Sequence, residues 1–327
     1  MSTLKKYDFD ITVTDNTYAG ELALPYVTAA ILGAETIAKG RCRLMEGIQS
    51  KAVISNLTTT DTIQAGGTGA GPCSFNDGGD LTLTEQVVTL NDLKVQEEIC
   101  RASIFGTWIS AQGNMQRNGD IPVEFSDFLL SAVALRTGNS LENLLWSGDA
   151  GAVWGLGWLS NDGVIDEAGI DASAMKDFAE ADLGTAFTAA TILGHLDTVF
   201  ATASAQPGIL LKPGAGFYVS YEAYAFFLQA IAQQNTGAGY NQNLEGANYL
   251  GYPVYPTAGI PNTVDVIVFT YPDNLVVAAN SYTPDTQARL IPTYAYDGSD
   301  NVRVSMQFAV GCNVAVPGDG VVGFNFS

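Results

Sequence analysis

The feature that most constrains this chain is a tract that cannot pack. Gly66-Gly67-Thr68-Gly69-Ala70-Gly71 is followed by Pro72, and Asn76-Asp77-Gly78-Gly79 comes soon after. Glycine offers no side chain to a core and accepts almost any backbone conformation. On either side the composition changes to Val, Ile, Thr and Leu, over residues 41–62 and 81–105, which reads as two strands. The pattern predicts an extended β-hairpin standing away from the body, with a tip that side-chain packing does not hold. A two-stranded ribbon is marginal by itself in water, so such a hairpin needs another surface to lie on.

The remaining segments mix helix and strand. The opening, to about residue 18, reads as an extended arm, and 20–38 as a short helix that starts after Pro25 and ends near Lys39-Gly40. Residues 124–146 carry Phe125, Phe128, Leu129, Ala132 and Val133 at helical spacing, then Leu141, Leu144 and Leu145. Gly138 lies between the two groups and costs a helix about 1 kcal/mol relative to Ala, so a bend or break is expected there. Ser147-Gly148-Asp149 ends the helix. A second helix is expected over 184–203, closed by Pro207-Gly208. The strand Gly216–Val219 leads into Ser220, an N-cap for a helix with Ala223, Phe226, Phe227, Ala230 and Ile231 inward. Val264–Phe269 reads as a buried strand. In 302–310, Val302, Val304, Met306 and Phe308 face one way and Arg303, Ser305 and Gln307 the other. Without a regular βαβ repeat, the class is α+β.

Charge narrows the function. The 327 residues contain 14 basic and 34 acidic side chains, a formal net charge of −20. Nucleic-acid binding relies on Lys and Arg displacing counterions, so a sequence-specific DNA binder is disfavoured, whereas an acidic container for DNA is compatible with the charge. No apolar run approaches the length that crosses a membrane, and an acidic stretch stands where a secretory leader would be apolar. The expectation is therefore a protein made and folded in a cytoplasm. Cys42, Cys73, Cys100 and Cys312 form no Cys-x-x-Cys pair and read as reduced thiols.

Motifs for chemistry are weak. The single histidine, His195, sits on the shoulder of a helix face with no Gly-x-Ser-x-Gly elbow in the chain, and reads as structural. The glycine tract is followed by Pro72 and Cys73 and no helix, so neither the Rossmann nor the P-loop pattern is met. Asp162, Asp166, Glu167, Asp171, Asp177, Glu180 and Asp182 lack the EF-hand spacing and read as a solvated acidic surface. No catalytic residue, cofactor or metal is expected. Against the acidic background, Lys39, Arg41, Arg43 and Lys51 fall together with Glu46 alone opposing them. They are candidate inter-subunit contacts, facing Asp162, Asp166 and Glu167 of a neighbouring copy. Such a contact is heterologous and builds rings and shells.

Two stretches carry a resemblance. Phe125-Ser126-Asp127-Phe128-Leu129-Leu130, running to Leu144-Leu145-Trp146-Ser147-Gly148-Asp149 and Gly155-Leu156-Gly157-Trp158-Leu159, is similar to the spine helix, Gly-Asp turn and Gly-Leu segment of the HK97-like major capsid proteins of tailed bacteriophages. Phe217-Tyr218-Val219-Ser220 with its helix, followed by Leu250-Gly251-Tyr252-Pro253-Val254, resembles their axial domain. The resemblance implies an N-terminal arm and short helix at 1–40 and the extended hairpin (the E-loop) with its base at 41–105. It implies a peripheral domain with the spine helix at 106–170 plus 291–327, and an axial domain at 171–290. It implies a subunit that self-assembles into hexamers and pentamers of an icosahedral head around double-stranded DNA. Portal and scaffolding or decoration proteins would be partners, and the virion the location. Some members weld subunits through a Lys–Asn bond, and Lys51 lies in the matching loop. An encapsulin-type nanocompartment shell shares this expected fold. A phage tail protein or a secreted β-rich glycan-binding protein or hydrolase is the alternative of a different class.

Overall fold

A computed structural model describes residues 16–19, 24–59, 81–100, 124–149, 156–160, 164–206, 208–234, 248–280, 287–293 and 301–325. Helices and strands mix, as the α+β expectation has it. The chain forms two compact units. The first takes 1–34, 92–141 and 280–309, and the second takes 35–91, 142–279 and 310–327.

In the first unit, strand β1 (Asn16–Ala19) pairs antiparallel with β12 (Gln287–Pro292), which pairs antiparallel with β13 (Asn301–Val314). Strand β5 (Asn91–Cys100) also pairs with β13. The alternation expected in β13 is present: Val302, Val304, Met306 and Phe308 are buried, while Arg303 and Gln307 are exposed. Helix α1 (Leu24–Leu32) and the 124–141 part of α3 (Glu124–Ser147) belong to the same unit. Leu129, Leu130, Val133 and Ala134 of α3 are buried, and Arg136 forms an ion pair of 3.5 Å with Glu97 of β5.

Two helical expectations need correction. The stretch 20–38 is interrupted at Gly33-Ala34, giving α1 and a separate turn of helix, α2 (Glu35–Ala38). Helix α3 runs unbroken for 24 residues through Gly138. A Cβ on Gly138 would stand 2.6 Å from Cα of Gly33. The glycine lets two backbones meet, and the tertiary contact overrides its poor helix propensity.

The second unit is built on a six-stranded sheet ordered β6 (Ala179–Asp182), β14 (Val321–Phe324), β10 (Val266–Thr270), β7 (Gly216–Val219), β9 (Tyr252–Pro256) and β8 (Asn248–Tyr249). Helices α5 (Ile192–Ser204) and α6 (Tyr221–Gln234) bury Leu196, Val199, Ala223 and Phe227 among Phe217, Val219, Ile267 and Phe269. Ser220 Oγ accepts from the Ala223 amide at 3.2 Å, the cap read from the sequence. Helix α5 starts eight residues later than expected, at Ile192, with Thr188 and Thr191 hydrogen-bonded to each other ahead of it. β11 (Leu275–Asn280) has β2 (Arg43–Glu46) as its parallel neighbour and β13 on its other side.

One buried carboxylate had no signature in the sequence. Glu142, only 2% exposed, accepts from the Thr36 amide at 2.9 Å and from its hydroxyl at 2.5 Å. Trp146 Nε1 donates to the same hydroxyl at 2.9 Å. Glu142 therefore caps α2 from a different helix. Burial pushes its carboxyl above the ordinary range and outweighs the opposing Thr36 bonds.

Candidate inter-subunit surface

The expected hairpin is present but shorter at its base. β3 (Lys51–Thr59) and β4 (Leu81–Thr89) form a two-stranded sheet of their own, in register from Lys51 opposite Thr89 to Thr59 opposite Leu81. Strands β2 and β5, which the sequence reading joined to it, pair with β11 and β13 instead. The glycine tract that suggested a tip lies outside the described residues.

Side chains alternate across a pleated ribbon, so the register sorts the hairpin into two faces. One carries Ala52, Ile54 and Asn56 with Thr82, Thr84, Gln86 and Val88. Only its root is covered: Ala52 and Val88 are buried with Val276, Ala278 and Ala315. Asn313 Nδ2 donates to the Val87 carbonyl at 2.8 Å there. Gly311 presses so closely on the Thr89 carbonyl that no Cβ fits. The other face carries Val53 opposite Val87, Leu57 opposite Leu83, and Leu81. All five are exposed, by 44–64%. A row of large apolar side chains open to water marks an interaction site or an aggregation hazard. The sequence reading missed this row, although the period-two placement of Val53 with Leu57 and of Leu81, Leu83 and Val87 was a usable signal.

The structure separates the four basic residues singled out by sequence. Lys39 pairs with Glu35 one helical turn away. Glu35 also accepts from the Tyr221 hydroxyl at 2.6 Å and the Ala258 amide at 3.1 Å. Burial pushes the Glu35 carboxyl up, but the bonds from Lys39 and Tyr221 prevail and hold it low. Arg41 donates to the Pro256 carbonyl at 2.6 Å and lies 4.6 Å from the Tyr255 ring centroid. Both residues are thus fastened within their own unit. Arg43, at the start of β2, and Lys51, at the root of the hairpin, are exposed.

Of the acidic candidates, Asp162 lies outside the described residues. Asp166 caps the short helix α4 (Glu167–Asp171) by accepting from the Gly169 amide at 2.7 Å, and Glu167 is exposed. Burial, then the charges of Asp171 and Glu167, push the Glu180 carboxyl above its ordinary value. These acids thus share one negative surface. No group of three or more metal-ligating side chains occurs among the described residues. His195 is buried on α5, its ring 5.3 Å from that of Phe187, and burial pushes its pKa down.

No protein-family model and no curated protein matches the chain. Solved structures do. A chain of the satellite phage P4 procapsid matches at 11% identity with a TM-score of 0.57, covering 93% of this chain and 92% of that one. A chain of the native GTA particle capsid matches at 13% and 0.53, covering 91% of each. One from Microbacterium phage Oxtober96 matches at 12% and 0.52, covering 98% and 96%. The chain has the fold of phage capsid proteins, and its resemblance to the HK97-like major capsid proteins holds at the level of that fold.

Proposed function

We propose that this chain is the major capsid protein of a tailed bacteriophage. It assembles into the hexamers and pentamers of an icosahedral head that encloses double-stranded DNA, and it acts by association and not by catalysis. In this reading the β3–β4 hairpin is the E-loop, α3 is the spine helix, and the six-stranded sheet with α5 and α6 is the axial domain. The division into an arm (1–40), hairpin and base (41–105), peripheral domain (106–170 plus 291–327) and axial domain (171–290) is part of the proposal. So are docking of Arg43 and Lys51 on a neighbour's Asp166 and Glu167, contacts with portal and scaffolding or decoration proteins, assembly in the host cytoplasm, and a place in the virion.

One observation carries the reading: a ribbon rooted in its own body by Ala52 and Val88 leaves five large apolar side chains open on its other face. Another copy of the chain, repeated around a ring, is the surface that a capsid fold supplies. Many modest contacts of this kind sum through multivalency. Size-exclusion chromatography and negative-stain microscopy of the purified chain test it, and capsomers or closed shells are expected. A compact monomer at every accessible concentration overturns the proposal. Nuclease-protected DNA in shells from infected cells tests the contents.

A further inference from the structure

Among the described residues on the apolar face of the hairpin, Glu85 is the one charged side chain beyond the root at Lys51. It stands opposite Ser55, between the Val53–Val87 and Leu57–Leu83 pairs. A surface that covers the apolar row covers Glu85 too, and a carboxylate removed from water without a partner is strongly unfavourable. The hairpin cannot supply that partner, because no Lys or Arg occurs between Lys51 and Lys94. The covering surface must offer hydrogen-bond donors to the carboxylate, and charged donors hold the ionised form most strongly.

Half of the described cations are taken, and of the rest Arg43 lies at the start of β2 and Lys51 at the root of the hairpin itself. Among the described residues, Lys39, Arg136, Lys212 and Arg303 are in ion pairs, and Arg41 is fastened to the Pro256 carbonyl. Lys94 and Arg289 have no ion pair among the described residues, and both line one hollow of about 570 Å³ on the first unit. Arg303 lines it as well and is held by Glu98 at 2.9 Å, while Glu97 is held by Arg136. The acids of the hollow are thus already paired, which leaves Lys94 and Arg289 as surplus positive charge. The hollow is not purely polar: Ile291 lines it, and the aliphatic stems of Lys and Arg cover apolar partners while their heads stay charged. Lys176, also in no ion pair among the described residues, lines a smaller groove together with Asp177.

Resting on the capsid reading, we infer that the Lys94–Arg289 hollow of one copy receives the apolar, Glu85-bearing face of another copy's hairpin. Glu85 meets the two cations, and the flanking leucines and valines lie on their stems and on Ile291. The contact joins two different surfaces, so it extends around a ring instead of closing a dimer.

Charge exchange tests the pairing. Glu85→Lys and Arg289→Glu are each expected to raise the concentration needed to form capsomers by about tenfold or more. The double variant should return to within about threefold of the wild type. Both side chains are exposed, so circular dichroism and melting temperature should stay at wild-type values. Should Arg289→Glu melt early, Lys94→Glu takes its place in the same comparison. Either single variant assembling like the wild type overturns the inference, and so does a double variant no better than the singles. A wild-type chain that never assembles refutes the capsid reading itself, so the two failures are distinguishable.

Discussion

Replacing Leu57 and Leu83 together by threonine removes a cross-strand leucine pair of the apolar row and puts in its place a β-branched residue suited to a strand. Leu57 is 55% exposed and Leu83 59%, so each has realised roughly half of its transfer free energy within the monomer. The remaining half, about 1 kcal/mol per leucine, is gained only when another surface covers it. Losing both should weaken each intersubunit contact by about 2 kcal/mol, or about thirtyfold in its association constant. A ring or shell repeats the contact, so the loss compounds. Sedimentation velocity over a concentration series, with negative-stain images of the same samples, reads the effect. Thermal unfolding of the unassembled chain should change by no more than a few degrees. A double variant that forms capsomers at the wild-type concentration would refute the reasoning, as would one whose assembly fails only because the chain has unfolded.

Two substitutions probe the body. Gly138→Ala improves intrinsic helix propensity by about 1 kcal/mol, yet its Cβ would meet Gly33 Cα at 2.6 Å. Overpacking of that kind costs about 1–3 kcal/mol, so denaturant unfolding should show net destabilisation, and a more stable variant would contradict the close-contact account. Glu142→Gln leaves one oxygen where Thr36 directs two donors, and should cost about 1–3 kcal/mol at neutral pH. It should also flatten the pH profile. The folded-state pKa of Glu142 lies above 4.5, so the folded chain holds the proton more tightly than the unfolded one. The contribution of that proton is complete below pH 4.5 and is lost as pH rises through the folded value. A glutamine variant with the wild-type slope in that range would show that Glu142 does not titrate this way.

How much was legible in the sequence follows from where the deciding forces are local. The alternation of 302–310, the Ser220 cap and the strand around Val266–Phe269 came out as read, because each depends on neighbours in sequence. The hairpin was legible in kind and not in extent. Residues 43–46 and 91–100 are as strand-like as 51–59, and which strand each pairs with is decided by β11 and β13, more than 180 residues away. Gly138 misled for the same reason, since its partner is Gly33. Among the basic residues, charge counting grouped Lys39 and Arg41 with Arg43 and Lys51, but the acceptors that absorb the first two come from Glu35 and Pro256. The hollow around Lys94 and Arg289 could not be found that way, because its cations lie almost 200 residues apart in the chain.

In the proposed assembly, the hairpin assigns folding and association to alternate residues of the same strand. Val88 faces the body and is fully buried beside Ala52, while its neighbour Val87 faces out and is 44% exposed. Because the period of a strand is two, the two valines belong to different free-energy balances although they are adjacent in sequence. Val88→Ala deletes two buried methyl groups at the root and should destabilise the chain by about 2 kcal/mol, counting lost transfer energy and the residual cavity. Melting temperature should fall, and assembly should suffer only as far as unfolding depletes the competent chain. Val87→Thr should do the opposite, leaving the melting temperature near the wild-type value while raising the concentration at which capsomers form. If both substitutions moved the two measurements in proportion, the hairpin would be part of the folding core on both faces, and no free surface would remain for a second copy to cover.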